Sequence, residues 1–259
     1  MKKSLVPLAL GGFGIGMTEF VIMGILPDIA GGLQISIPQA GHLITAYALG
    51  VVVGAPTLVS LMGHRPPRSV LVWFMLMFTI FNAMSAFSPN YELMMLSRFM
   101  AGLPHGAFFG VGAVVAARLA DEGKVAAALA TMFTSLTVAN VIGVPAGTWL
   151  GHNMSWRAVF LVVAAIGLVT MFALHRLVPP IAAKARTGLM QDLRIFRHGA
   201  LWLALAITSI GTGGFFAFFS YIAPLLTDIT HIAPARIPMV MTVVGIGMTV
   251  GVHHGGRLA

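Results

Sequence analysis

The segment LVPLALGGFGIGMTEFVIMGILP, residues 5–27, decides the fold. It is free of charge except for Glu19, and it is long enough to cross the roughly 30 Å hydrocarbon core of a bilayer as a helix. A carboxylate at membrane depth is costly, rare and usually functional. The segment therefore predicts a membrane span that carries a functional acid.

The composition of the whole chain extends this prediction. Hydrophobic residues make up 58% of the sequence and charged residues 8%, against roughly 25% charged in a soluble domain. Apolar stretches of spanning length lie at about 5–26, 42–62, 69–88, 93–116, 126–150, 157–178, 200–226 and 238–258. We therefore predict an all-α membrane protein. Because the sequence has no cysteine, disulfides, thiolate metal sites and a cysteine nucleophile are excluded, and we predict no metal site.

The net charge of +8 follows the predicted topology. The basic residues of one side of the membrane are Lys2, Lys3, Arg65, Arg68, Arg118, Lys124, Arg176, Lys184, Arg186, Arg194, Arg197 and Arg257. Only Arg157 and Arg236 lie on the other side. The positive-inside rule then places the N-terminus in the cytoplasm of a bacterial-type cytoplasmic (inner) membrane. The positive net charge is thus explained by the cytoplasmic connections, which carry most of the basic residues, and we predict no nucleic-acid partner.

The segment 179–199 differs from the other connections. Two prolines stop the sixth span, and a basic stretch follows in which Leu189, Leu193 and Phe196 have helical spacing. We interpret it as an interfacial amphipathic helix that links two bundles. The alternative is a solvated linker.

An internal repeat supports the division into two bundles. One constant shift places Gly14, Gly16, Pro27, Gly50 and Gly54 on Gly211, Gly213, Pro224, Gly247 and Gly251. We predict a six-helix bundle at 1–178, a linker at 179–199 and an incomplete second bundle at 200–259, with spans seven and eight. Two equal halves would need roughly 130 further residues, so we expect a truncated chain.

Glu19 and Arg98 are the candidate proton-coupling residues. Glu19 could carry a proton, or it could be held permanently by a neighbouring helix to fix packing. Arg98, early in the fourth span, is its candidate partner. Because arginine stays protonated, its role would be electrostatic, competing with the proton for Glu19 or holding an anionic substrate group. The alternative is an arginine that extends to the headgroups.

Other polar and aromatic residues at membrane depth are candidates for a substrate cavity. They are Phe20, Tyr47, His105, Asn140, Phe216 and Tyr221. His105 could titrate near neutrality, although we favour a hydrogen bond to a backbone carbonyl that Pro104 frees. Asn140 could face the cavity or bond across helices. The phenylalanines are more typical of packing or lipid-facing positions than of a substrate site.

Small residues indicate close helix packing in two spans. Gly102, Gly106 and Gly110 share one face of the fourth span, which lets another backbone approach closely. The fifth span carries Gly143, Pro145, Gly147 and Gly151. Proline removes a backbone donor, so we predict a bent and tightly packed helix there.

Together these motifs resemble a major facilitator superfamily transporter, in particular the twelve-span drug:proton antiporters and arabinose-efflux-type permeases. The segments that carry the resemblance are TEF at 18–20 with GILP at 24–27, LSR at 96–98 with its glycines, 140–151, and WR at 156–157 with Phe160. The resemblance implies that Glu19 takes the proton and Arg98 relays it. It also implies that the glycine and proline face of the fifth span packs against a helix of the opposite half and limits leak.

One signature departs from the family pattern. Between the second and third spans the family places an acid among glycines and basic residues as a gating latch, whereas Gly54, Gly63, Arg65 and Arg68 stand here without it. The basic residues could bind lipid headgroups or a helix C-terminus. Residues 255–259 resemble the start of the same signature in the second half.

The function that we predict is transport. No phosphate-binding loop or nucleophile elbow is present, so we predict neither an enzyme nor an ATP-driven pump. We expect a secondary transporter that exports a small organic molecule, a drug or a sugar, by alternating access, with the proton gradient as its energy source and no cofactor. The alternatives are a truncated, non-transporting membrane fragment and a proton-coupled uptake permease. The substrate, direction and oligomeric state stay open.

Overall fold

A computed structural model describes residues 3–183 and 197–258, the last seven by backbone alone. Within these residues eight helices are long and apolar enough to cross a membrane. Spans one to eight are Lys3–Gly24, Ile37–Met62, Pro67–Ala86, Tyr91–Leu119, Val125–Asn153, Trp156–Leu177, Gly199–Phe219 and Pro234–Gly251. The last continues as one helix, Ile237–Leu258. The prediction of an all-helical membrane protein is confirmed.

Local capping sets where several spans begin. Ser36 and Gln39 form a capping box, in which the Gln39 N–H donates to Ser36 Oγ at 3.3 Å and the Ser36 N–H donates to Gln39 Oε1 at 2.9 Å. The second span therefore begins at Ile37, before the predicted start at 42. Asn90 caps the fourth span through a 3.0 Å bond from the Leu93 N–H.

Two spans contain or adjoin irregular turns. The fifth consists of Val125–Val138, a π-helical turn at Ala139–Gly143 and Val144–Asn153, so the regular hydrogen bonding changes just before Pro145. The seventh ends at Phe219 rather than 226. Beyond it lie Ile222–Pro224 and a π-helical turn, Leu225–Ile229.

The first span is also followed by a short helix, Leu26–Leu33. Asp28 on this helix contacts His152 at the end of the fifth span, with 2.8 Å between Asp28 Oδ2 and His152 Nδ1. The contact ties the short helix to the fifth span.

The second and fourth spans approach through their glycines. A Cβ atom at Gly50 or Gly54 would overlap the carbonyl oxygen of Phe99 or Leu103, and one at Gly102 would overlap that of Tyr47. Gly106 faces Ala55 at close range, whereas nothing lies within 4 Å of a Cβ at Gly110. The two backbones are therefore in direct contact along most of the predicted glycine face.

Two arginines fasten the third span to the sixth, one at each end of the pair. Arg68, at the start of the third span, donates to the carbonyl of His175 near the end of the sixth. Arg157, at the start of the sixth, donates from Nη2 to the Ser88 carbonyl at 2.8 Å. Both cations lie where a helix C-terminus presents unpaired carbonyls. Of the alternatives for Arg68, the structure thus shows binding to a helix C-terminus, while Arg65 is exposed.

Among the described residues, the contacts of spans seven and eight with the first six include stacked aromatic rings and a close glycine approach. The Phe20 ring stacks on Phe216 with 5.8 Å between centroids and lies 6.1 Å from Phe219. Gly245 in the eighth span packs against the Asn140 carbonyl in the π-helical turn. The predicted amphipathic helix with Leu189, Leu193 and Phe196 lies outside the described residues.

Candidate functional site

Glu19 lies on a cavity of about 500 Å³ between the first, fifth and eighth spans. The predicted residues Phe20 and Asn140 line the same cavity. Its further lining residues are Ala130, Phe133, Thr134, Leu136, Thr137, Met248 and Thr249. One carboxylate, one amide and three hydroxyls in a mostly apolar wall are typical of a site for a small organic molecule.

Arg98 is completely buried in the fourth span, with 0% of its surface exposed. The alternative of an arginine that extends to the headgroups is therefore wrong. Its Nη1 donates to Thr18 Oγ1 at 3.1 Å and its Nη2 donates to the Thr18 carbonyl at 3.2 Å. The guanidinium carbon lies 4.3 Å from the centroid of the Tyr47 ring and 5.6 Å from that of Phe160. These contacts offset part of the cost of burying the charge.

Glu19 and Arg98 are neighbours but do not form an ion pair. Arg98 is bound instead to Thr18, the residue before Glu19 in the first span. The Glu19 side chain is half-buried and faces the cavity. Arg98 thus binds the residue next to Glu19 and not Glu19 itself. The cation is buried in the bundle, and the carboxylate lies in the cavity wall.

A hydrogen-bonded pair that the sequence did not reveal supports Arg98. Thr18 Oγ1 donates to Asn82 Oδ1 at 2.6 Å, and Asn82 Nδ2 donates to the Phe78 carbonyl at 2.8 Å. Thr18 and Asn82 are both 0% exposed. The signal that could have found Asn82 is its amide in the second half of the mostly apolar third span.

Tyr47 and His105 form a second pair beside Arg98. The Tyr47 hydroxyl lies 3.0 Å from His105 Nδ1, with donor and acceptor set by the histidine tautomer. The predicted bond from His105 to a backbone carbonyl was wrong, because the tyrosine of the second span lies within reach across the glycine contact. Neither side chain lines the cavity that contains Glu19.

Phe216 and Tyr221 lie in a different place from Glu19. They line a cleft of about 350 Å³ between the second and seventh spans. The Tyr221 hydroxyl lies against Gly41. The six predicted cavity residues therefore lie in three places. Phe20 and Asn140 line the cavity with Glu19, Tyr47 and His105 lie beside Arg98, and Phe216 and Tyr221 line this cleft.

The fifth-span glycines pack within their own half. Gly143 and Gly147 face the first-span side chains Phe13, Met17 and Val21, and Gly151 faces Ile25, the residue that follows this span. The glycines fit there because side chains spaced four residues apart meet glycines with the same spacing, while the segment Val144–Asn153, which carries Gly147 and Gly151, also contacts the eighth span. That this face limits leak stays a prediction. The Asn140 and Val141 backbone, just before this segment, meets Gly245 of the eighth span. Pro145 is buried.

No group of three histidine, aspartate or glutamate side chains among the described residues could hold a metal ion.

The membrane-spanning helices and the mostly apolar cavity between them define a polytopic membrane protein. The chain belongs to the Major Facilitator Superfamily, whose family model matches residues 8–259. Membership of this family indicates a membrane transporter rather than an enzyme.

Named relatives and a solved structure agree with this family. The chain is 46% identical to the inner membrane transport protein YdhP of Escherichia coli (strain K12) over 98% of its length and 66% of that protein. It is 41% identical to the putative transporter AraJ of the same strain over 100% of its length and 66% of that protein. It is 34% identical to a chloramphenicol resistance protein of Streptomyces lividans, covering 100% of the chain and 67% of that protein.

The likeness in structure extends over nearly the whole chain. A bacterial homologue of the human lysosomal transporter Spinster, in an inward-facing and unoccupied conformation, matches with a TM-score of 0.76 at 16% identity. The match covers 99% of this chain and 62% of that one. The chain thus spans about two thirds of the length of the proteins that it resembles.

Proposed function

We propose that the protein exports a small organic molecule across a cytoplasmic membrane in exchange for protons. The observation that carries this proposal is the position of Glu19, a carboxylate in the wall of a cavity at membrane depth. Such residues mark proton relays and substrate pathways. Arg98, buried beside the preceding residue, supplies a fixed positive charge close to it.

The cavity lining supports a substrate with both polar and apolar parts. Phe20 and Phe133 offer aromatic surface, while Asn140, Thr134 and Thr137 offer hydrogen-bonding groups. A drug or a sugar derivative has this chemistry. The relatedness to a chloramphenicol resistance protein and to a putative transporter favours export of such molecules.

The proposed cycle uses the two bundles, 1–178 and 200–259, as moving parts. Glu19 would take a proton from outside, the bundles would rock about the cavity, and the proton would leave on the cytoplasmic side as substrate binds. Arg98 would compete with the proton for Glu19. The positive-inside rule puts the N-terminus in the cytoplasm in this arrangement.

The test measures proton movement in everted membrane vesicles that contain the protein. We expect chloramphenicol or arabinose, added to energised vesicles, to release protons in a Glu19-dependent way, followed by a fluorescent pH probe. Glu19→Gln should abolish the response, because an amide cannot carry the proton. Glu122→Gln is the matched control, since Glu122 is exposed in the connection after the fourth span.

Other results would decide between the alternatives. A Glu19→Gln variant that keeps pH-dependent export would contradict the proposal. Substrate that crosses the membrane in the same direction as the protons would show the uptake alternative instead. A wild-type chain that moves neither substrate nor protons would behave as the non-transporting alternative.

A further inference from the structure

We propose that Thr18 and Asn82 form a positioning pair that holds the Arg98 guanidinium away from Glu19. The inference deepens the proposed function, since it rests on Glu19 as the proton carrier. The pair joins the first span to the third, and both side chains are fully buried. Its role is to keep Arg98 on Thr18, so that Glu19 can hold a proton beside a permanent cation.

The direction of each hydrogen bond follows by elimination. The Phe78 carbonyl can only accept, so the Asn82 amide group must present its N–H₂ there and its oxygen to Thr18. The Thr18 hydroxyl must then donate its single proton to Asn82. Only the lone pairs of the Thr18 oxygen remain, and these accept from Arg98. Asn82 thereby makes Thr18 an acceptor for the arginine.

The groups around Arg98 leave Glu19 as its alternative partner. The ionisable side chains near it are Glu19 on the first span, Tyr47 on the second and, through Tyr47, His105 on the fourth. The third and sixth spans contribute the neutral Asn82 and Phe160. Arg98 Nε is buried without a hydrogen-bond partner. A guanidinium that lost the Thr18 hydroxyl would leave Nη1 unpaired as well, which is costly, and the adjacent carboxylate could accept from it.

The test follows the protonation of Glu19 directly and does not need transport. Dicyclohexylcarbodiimide reacts with protonated carboxyl groups in apolar surroundings, and peptide mass spectrometry of the membrane-embedded protein resolves Glu19 from the other carboxylates. We expect labelling of Glu19 against pH to have its midpoint shifted toward acid by about one pH unit in Asn82→Leu and Thr18→Val, because a cation drawn to the carboxylate favours its charged form.

Matched variants separate positioning from general packing. Thr18→Ser keeps the hydroxyl and should keep the wild-type midpoint. Ser85→Ala removes another buried hydrogen bond between the third and fourth spans, that of Ser85 with Ser97 at 2.9 Å, and should leave the midpoint unchanged. The double variant of Asn82→Leu and Thr18→Val should shift no further than either one, because both act through one contact.

Unchanged midpoints in Asn82→Leu and Thr18→Val would overturn the inference, as would an equal shift in Ser85→Ala. If Asn82→Leu does not insert into the membrane, Thr18→Val against Thr18→Ser gives the answer alone. A shifted labelling midpoint in Asn82→Leu and Thr18→Val, together with unchanged transport in Glu19→Gln, would refute the proposed function and still support the positioning pair. Transport that depends on Glu19, together with an unchanged labelling midpoint in these variants, would support the proposed function and refute the positioning pair.

Discussion

Arg98 keeps a full charge inside the bundle without an ion pair. Its planar group donates to two oxygens of one residue, Thr18, and lies between the rings of Tyr47 and Phe160. Only a guanidinium combines a fork of donors with a flat face that stacks on aromatic rings. The residue type therefore matters here as much as the charge.

Arg98→Lys should lower the initial transport rate about tenfold or more, although the charge is kept, because an ammonium cannot donate to both Thr18 oxygens in the same geometry. Rates of substrate-dependent proton release in vesicles measure this. Arg176→Lys at an exposed position is the control and should behave as the wild type. A fully active Arg98→Lys protein would show that the charge alone suffices.

Some of the residues around Glu19 could be predicted from the sequence and others could not. Polar side chains at membrane depth led to Glu19 and Asn140, which line one cavity. Thr18 was missed because most threonines in spans bond to their own helix, as Thr79 does to the Met75 carbonyl at 2.8 Å. Nothing in the sequence distinguishes such a threonine from one that bonds to a neighbouring helix.

At the scale of the helix pair, the glycine contact of the second and fourth spans sets how close the backbones come. Gly54→Ala should lower the free energy of unfolding in detergent by about 3 kcal/mol, because its Cβ would overlap the backbone of Leu103. Gly110→Ala makes the same chemical change where nothing lies within 4 Å, and should be nearly neutral. Equal effects of the two substitutions would contradict the direct backbone contact.

The sequence predicted close packing of glycine faces but not their partners. A glycine at every fourth position shows that something approaches, and the first span happens to carry large side chains at the same interval. Matching two such patterns requires knowing which helices are adjacent. Span starts were missed for a similar reason, since the capping box at Ser36 lies outside the apolar stretch that marked the second span.

At the scale of the whole molecule, spans five and eight meet where a glycine touches a backbone carbonyl. Gly245→Ala should slow transport about tenfold, because a methyl group would press on the Asn140 carbonyl and hold the halves apart. Gly247→Ala, with nothing within 4 Å, is the matched control. Normal transport by Gly245→Ala would show that the halves do not need this approach.

The overall architecture could be predicted almost completely from the sequence. Length and hydropathy alone located all eight helices, because twenty apolar residues have few other stable arrangements. The boundaries 1–178, 179–199 and 200–259 stay a prediction. Contacts between spans depend on side-chain shape in three dimensions, and the structure was needed to find them.

The two arginine bonds between the third and sixth spans bear on the proposed exchange of substrate for protons. Neither a guanidinium nor a peptide carbonyl changes its charge between acid and alkaline conditions, so the bonds of Arg68 to His175 and of Arg157 to Ser88 persist at either pH. An acid-base latch at the same positions would loosen whenever the surrounding medium acidified. The attachment of the third span to the sixth is thus independent of the protons whose gradient the protein would use.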